Sequence, residues 1–191
     1  GTGGQVPATQ ADLFCGNSGT TIRFLTALAT LGRGAYRLDG VPRMRQRPIG
    51  DLLAALNGLG ANVQSEANND CPPVLVRANG LPGGSATLRG DISSQFLSGV
   101  LMAAPGAKQP VEVAIDGPLV SQPYVRMTLA VMAAFGVEVD GDDNLERFRI
   151  TPATYNAREY AVEPDASAAS YFWATAAITD GKVTVEGLTR E

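Results

Sequence analysis

The residues that could do chemistry cluster where apolar runs begin. The stretch "GNSGTTIRFL" (16–25) opens on a turn-forming Gly16–Asn17 pair, passes through Ser18, Gly19, Thr20 and Thr21, and closes on Arg23 inside an apolar run. "GDISSQ" (90–95) and "PDASAAS" (164–170) open in the same way. The apolar spacing after each predicts a helix. A helix start leaves backbone N–H groups unpaired and carries a partial positive charge, so it can hold a phosphate or carboxylate if the side chains there are small. Ser, Asn and Asp are also ordinary N-cap residues. One such start therefore says little, whereas two with doubled hydroxyls and an amide, "NSGTT" and "SSQ", favour an anion site.

The loops before the intervening helices add cations and hydroxyls. "PRMRQRP" (42–48) places Arg43, Arg45 and Arg47 at alternating positions, which in an extended loop would put them on one side. Arg47 precedes Pro48, at the expected mouth of a helix, where a guanidinium can grip a carboxylate or phosphate with two parallel bonds; a solvated basic loop is the plainer alternative. The corresponding loop "LVSQPY" (119–124) offers Ser121 and Tyr124 instead. One half thus reads as cationic and the other as neutral and hydroxyl-rich. Arg23, inside its apolar helix, is expected to make a structural pairing rather than a ligand contact.

Composition narrows the chemistry further. The 191 residues contain no histidine, which removes Ser-His and Cys-His nucleophile pairs and imidazole metal sites. Acid-base work would fall to carboxylates, Lys or Tyr. The net charge is −4 and no basic run of nucleic-acid type is present. No apolar run reaches the roughly 18 residues of a membrane span, and no charged-then-apolar leader opens the sequence. Cys15 and Cys71 stand in no metal-ligand spacing and read as two buried thiols in a reducing compartment.

The elements that must position these residues repeat. Helices are predicted over 19–31 and 48–59, with a strand over 35–40 between them and strands at 62–65, 74–78 and 86–89 after them. The pattern recurs as helices over 93–104 and 123–135, a strand over 110–117, and strands at 137–140, 147–151 and 159–163. Pro48 and Pro123 lie 75 residues apart, Gly60 and Gly136 lie 76 apart and Asp39 and Asp116 lie 77 apart, the prolines at expected helix starts and the glycines at expected caps. A third copy begins with a helix over 164–178 and "GKVTVEG" (181–187), which echoes "GAYRLDG". The expected fold is α/β, built of helix-strand-helix-strand-strand-strand units, and the chain reads as an internal piece of a longer protein.

"LFCGNSGTTIRFL", "DGVPRMRQRPIGDLL", "GDISSQFLSGVLMAAP", "LVSQPYVRMTL" and "PDASAASYF" stand in the order and spacing of the 5-enolpyruvylshikimate-3-phosphate synthase family, which the chain resembles over nearly its whole length. The arginine-rich loop and "SSQ" favour that family over its relative, UDP-N-acetylglucosamine enolpyruvyl transferase. The resemblance implies one domain of the enolpyruvyl transferase fold, an inside-out α/β barrel. Residues 1–162 would be most of the first, substrate-binding domain, and 163–191 a hinge crossing and the start of the second. It implies transfer of the enolpyruvyl group of phosphoenolpyruvate to the 5-hydroxyl of shikimate 3-phosphate, with release of phosphate through a tetrahedral intermediate. No metal or organic cofactor is implied, nor any nucleic-acid or membrane partner, and the intact protein would be a cytoplasmic monomer.

Carried over by position, Gly19 resembles the glycine that lies against phosphoenolpyruvate and limits room for glyphosate, and Arg47 the arginine that binds phosphoenolpyruvate. Ser93 and Ser94 resemble the pair that holds the shikimate phosphate. Gln95 would touch both substrates, and Ser121 and Tyr124 would complete the shikimate side. The usual motif is "NAGTAMRP", so Ser18, Thr21, Ile22 and Phe24 depart from it, which leaves glyphosate sensitivity open; Pro164 stands where glycine is usual. The family's lysine-bearing N-terminal motif and its acid-base aspartate and glutamate have no counterpart in these residues. The chain alone is therefore expected to be inactive and to depend on the remainder of the enzyme. A stand-alone anion-binding module and one half of a split enzyme are the alternatives.

Overall fold

The computed structural model describes residue 2 and residues 4–188, and within them one folding unit is built twice. The first copy runs β1 (Gln10–Phe14), α1 (Gly19–Ala29), β2 (Arg33–Asp39), α2 (Gly50–Gly58), β3 (Val63–Ser65) and β4 (Val74–Asn79). The second runs β5 (Gly84–Arg89), α3 (Ser94–Ala103), β6 (Val111–Asp116), α4 (Gln122–Ala134), β7 (Asp140–Gly141) and β8 (Arg147–Ile150). The two four-stranded sheets have the same order, β1-β2-β4-β3 and β5-β6-β8-β7. In each, the first two strands are parallel and the remaining pairs antiparallel.

The period expected from the sequence holds, but its phase is shifted by one strand. A parallel pair needs a crossover between its strands, so the strand before α3 must pair with the strand after it. Accordingly β5 pairs with β6, from Gly84 opposite Val111 to Arg89 opposite Asp116. It opens the second sheet instead of closing the first. The first sheet is opened by β1, a strand the apolar spacing does not predict.

Glycines end the outer helices by one mechanism. Gly60 (φ +82°) donates to Asn57 O while Ala61 donates to Leu56 O; Gly136 (φ +82°) donates to Ala133 O while Val137 donates to Met132 O. This pairing satisfies the last carbonyls of α2 and α4 and needs a left-handed residue. It also explains why the strand expected over 137–140 begins only at Asp140: Val137 is buried and held by the cap. Pro123 sits in the first turn of α4 as expected, whereas Pro48 lies ahead of α2, whose N-cap is Ile49.

The core lies between the sheets and helices. Leu38, Val74 and Val76 of the first sheet and Val111, Val113, Phe148 and Ile150 of the second are almost wholly buried, as are Leu52 and Leu56 of α2 and Leu97, Val100 and Leu101 of α3. α1 packs along α3, α3 along α4, and α2 against β5. Helix α3 passes close to α1 at Gly99, where an added Cβ would stand 3.4 Å from Arg23 O and 3.6 Å from Phe24 Cδ1.

The chain divides into two compact units, Gly1–Ala157 and Arg158–Glu191. The second unit holds α5 (Ala166–Ile178), capped by Asp165, whose carboxylate accepts from Ala168 N. Strands expected at 159–163 and 181–187 do not form among its described residues. In both sheets the parallel pair is extended by a third, antiparallel strand; none is present among the described residues of this unit, and two strands alone are marginal. No helix among the described residues is long and apolar enough to cross a membrane.

Candidate functional site

Strand order places the start of α1 beside the end of β2, and packing of α1 along α3 brings the two helix starts together. β1 and β2 are parallel, and their outgoing ends are tied by hydrogen bonds from Cys15 N to Asp39 O and from Val41 N to Gly16 O. The loop into α1 (Cys15–Ser18) is thereby fixed beside the loop leaving β2 (Gly40–Arg47). At the α1 start, Ser18 is the N-cap and accepts from Thr21 N. Gly19 is buried because the Arg47 guanidinium lies against it, and Arg47 Nη1 donates to Asn17 O at 3.2 Å. A Cβ at Gly19 would fall within 2.7 Å of Arg47 Cζ.

Arg43, Arg45 and Arg47 do not share one side. The loop coils into a short 3₁₀ turn over Met44–Gln46, where side chains no longer alternate. Arg43 turns back to Gln46 Oε1. Arg45 grips Asp39 with Nε to Oδ1 at 3.0 Å and Nη2 to Oδ2 at 2.6 Å. Asp39 is 8% exposed and also accepts from Gly40 N, so hydrogen bonding from Arg45 holds its carboxyl below the usual carboxylate range. Arg47 alone is left facing the α1 start.

The α3 start lies beside α1. Ser93 is its N-cap and accepts from Gln95 N, and Ser94 is buried. Gln95 Nε2 donates to Thr20 Oγ1 at 2.9 Å. Arg23 Nη1 donates to Gln95 Oε1 at 2.6 Å and to Ser93 Oγ at 3.3 Å, with its guanidinium over the Phe96 ring, 4.8 Å from the centroid. The structural pairing expected of Arg23 is thus made to two candidate residues of the other helix. Burial, and then the charge of Arg47, push the Arg23 pKa down. Among the described residues neither Arg23 nor Arg47 has a carboxylate within ion-pair distance.

Helix α4 begins next to α3. Val120 N donates to Gly90 O, linking the two incoming loops, and Ser98 hydrogen-bonds Thr128 across the helices at 2.8 Å. Ser121 occupies the N-cap position in the left-handed conformation (φ 56°, ψ 39°) with no side-chain cap bond. Ser121 and Tyr124 are both exposed, and neither side chain bonds to another candidate residue. The structure therefore joins Gly19, Arg47, Ser93 and Gln95 through contacts, with Ser94 between the last two, and sets Ser121 and Tyr124 at the neighbouring helix start. Thr20 enters the sequence reading only as one of the doubled hydroxyls of "NSGTT", and Asp39 stands out there only as a landmark of the repeat.

A wider groove of about 700 Å³ lies elsewhere, between α2 and the second sheet, with Ala55, Gly58, Thr87 and Phe148 in its lining and the exposed Glu112–Arg149 ion pair at 2.8 Å. It contains none of the candidate residues. Cys15 is buried as expected and Cys71 only half-buried; both are free thiols.

Paired helix starts, hydroxyl donors and two guanidiniums without carboxylate partners among the described residues form a site suited to anions. The family model described as EPSP synthase (3-phosphoshikimate 1-carboxyvinyltransferase) matches residues 1–191. The chain belongs to the EPSP synthase family. It is 51% identical over 194 residues to the 3-phosphoshikimate 1-carboxyvinyltransferase of Nostoc punctiforme, covering 100% of this chain and 45% of that protein. It is 51% identical over 197 residues to the chloroplastic enzyme of that name from Arabidopsis thaliana, covering 98% and 38%. Among solved structures, an EPSP synthase from Acinetobacter baumannii superposes with a TM-score of 0.71 at 26% identity, over 88% of this chain and 37% of that one. The expected fold class, one domain of the enolpyruvyl transferase fold, stands on that likeness. The chain spans under half the length of these EPSP synthase relatives.

Proposed function

We propose that these residues form one wall of the substrate cleft of an EPSP synthase, which moves the enolpyruvyl group of phosphoenolpyruvate onto the 5-hydroxyl of shikimate 3-phosphate. Arg47, against Gly19 at the α1 start, takes the phosphoenolpyruvate anion. Ser93 and Ser94 at the α3 start hold the shikimate phosphate, Ser121 and Tyr124 at the α4 start contact the same substrate, and Gln95 reaches both. Residues 1–162 are read as most of one domain and 163–191 as the passage into the next, in a cytoplasmic, monomeric enzyme.

The observation that carries this reading is the contact chain Arg47–Gly19 and Thr20–Gln95–Arg23–Ser93, which joins two helix starts around guanidiniums that lack carboxylate partners among the described residues. Such a site binds and orients anions through fixed dipoles and charge. The reaction adds a hydroxyl to the enolpyruvyl carbon and then expels phosphate, so a proton must be delivered to the methylene carbon and later removed. No described carboxylate hydrogen-bonds to the candidate residues, and Asp39 is spent on Arg45. Proton transfer is therefore assigned to the remainder of the enzyme, and this chain alone is inactive.

Calorimetric titration of the full-length protein tests the reading. Arg47→Ala is expected to weaken phosphoenolpyruvate by about 2–5 kcal/mol and shikimate 3-phosphate far less. Ser94→Ala is expected to weaken shikimate 3-phosphate by about 1–3 kcal/mol. Equal losses of both ligands in Arg47→Ala refute the division of the site.

A further inference from the structure

Arg23 lies behind the candidate ligand contacts, yet its hydrogen bonds determine what two of them can offer. Its Nη1 donates to Gln95 Oε1 at 2.6 Å and to Ser93 Oγ at 3.3 Å. A carboxamide whose oxygen is held by a guanidinium turns its NH₂ the other way, and one of those N–H groups is taken by Thr20 Oγ1 at 2.9 Å. The second N–H of Gln95 remains. Ser93 Oγ accepts from both Arg23 Nη1 and Gln95 N, so both lone pairs are occupied and its proton must point to another acceptor.

We infer that Arg23 is a positioning residue that polarises the α3 start, holding the acceptor atoms of Ser93 and Gln95 inward so that both present donors to an incoming phosphorylated anion. The inference rests on the proposed reading of the site and adds to it the residue that sets the site's preference for anions. The side chain is suited to this work. Its planar fork lies over the Phe96 ring at 4.8 Å, which fixes the plane of the guanidinium, and it reaches Ser93 and Gln95 from the neighbouring helix. Without it, the Gln95 amide can turn over and present oxygen to the ligand, a repulsive interaction in place of an attractive one.

Binding and melting measurements on the full-length protein test this. Arg23→Met is expected to weaken shikimate 3-phosphate roughly tenfold or more, the scale of removing one charge-assisted hydrogen bond. Arg23→Lys, which restores one donor, should recover part of that affinity. In a Gln95→Ala, Ser93→Ala background Arg23→Met should have little further effect, because the groups through which it acts are gone. A structural role alone would lower the melting temperature and add in full to the double variant; that result overturns the inference, as does wild-type affinity in a folded Arg23→Met. Should Arg23→Met not fold, Arg23→Lys decides: an affinity loss that vanishes in the double-alanine background supports positioning, and one that persists overturns it. If Arg47→Ala and Ser94→Ala leave both ligands untouched, the reading of the site fails; if they weaken binding and Arg23→Met does not, only this inference fails.

Discussion

Gly19→Ala separates the stability of the fold from the geometry of the site. A Cβ at this position would press directly on Arg47 Nη2 and stand within 2.7 Å of Cζ and Nη1, where ordinary contact begins near 3.4 Å, so the guanidinium must retreat by about 1 Å. The obstacle is the end of a flexible side chain, which can move without disturbing the backbone. Alanine also favours the first turn of a helix over glycine by up to about 1 kcal/mol. These two effects oppose each other, and the midpoint in urea should shift by no more than about 1 kcal/mol in stability. Binding should respond differently. Among the described residues the Arg47 guanidinium is held by Asn17 O and by its seat on Gly19, and a displacement near 1 Å of a positioning charge can cost on the order of 100-fold. Phosphoenolpyruvate affinity, measured by titration of the full-length protein, is expected to fall at least about tenfold while shikimate 3-phosphate changes little. Unchanged phosphoenolpyruvate affinity in a folded Gly19→Ala protein would refute the assignment of Arg47.

Substitutions at two further positions test the supports of the site. Ser121 holds φ 56° without a side-chain cap bond, so Ser121→Gly should be more stable than Ser121→Ala by about 1 kcal/mol in urea unfolding, while both remove any hydroxyl contact to shikimate 3-phosphate and weaken its binding alike. Asp39, whose folded pKa is lowered chiefly by hydrogen bonding from Arg45, stabilises the fold above the unfolded carboxylate value, and that contribution is lost as pH falls through the lowered folded value. Asp39→Asn should therefore flatten the acid limb of a melting-temperature profile below about pH 4.

The parts of the site written locally in the sequence are readable there. Ser93, Ser94 and Gln95 sit at a helix start because serine and an amide precede an apolar run, and Gly19 and Arg47 stand beside recognisable turn residues. The Arg23–Gln95 bond joins residues 72 apart and depends on how closely α1 approaches α3, which no local pattern encodes. Alternation misplaces Arg45 because it holds only for extended chain, and Asp39 pulls that segment into a turn. The phase of the repeat is hidden for a related reason. A cyclic pattern has no intrinsic start, and only pairing distinguishes a strand that closes one sheet from one that opens the next. The signal for β1 is present in "QADLF", where Ala11 and Leu13 face inward and Gln10, Asp12 and Phe14 outward, but five residues of alternation before the first helix are a weak cue.

The close approach of α1 and α3 can be tested at Gly99. A methyl there would meet Arg23 O at 3.4 Å, Phe24 Cδ1 at 3.6 Å and Ala27 Cβ at 3.7 Å, all at or beyond ordinary contact distance. Gly99→Ala should therefore be tolerated, the gain in helix propensity of about 1 kcal/mol offsetting slight crowding. Gly99→Val adds two further methyls to a space already filled and must drive the helices apart, at about 1–3 kcal/mol. That separation would stretch the Thr20–Gln95 and Arg23–Gln95 bonds, now 2.9 and 2.6 Å, although none of these residues is altered. Shikimate 3-phosphate binding should consequently weaken in Gly99→Val under conditions where the protein remains folded, and remain near the parent value in Gly99→Ala. If the valine variant is destabilised by the expected amount yet binds as the parent does, the helix spacing does not set the site, and the link from packing to binding is broken.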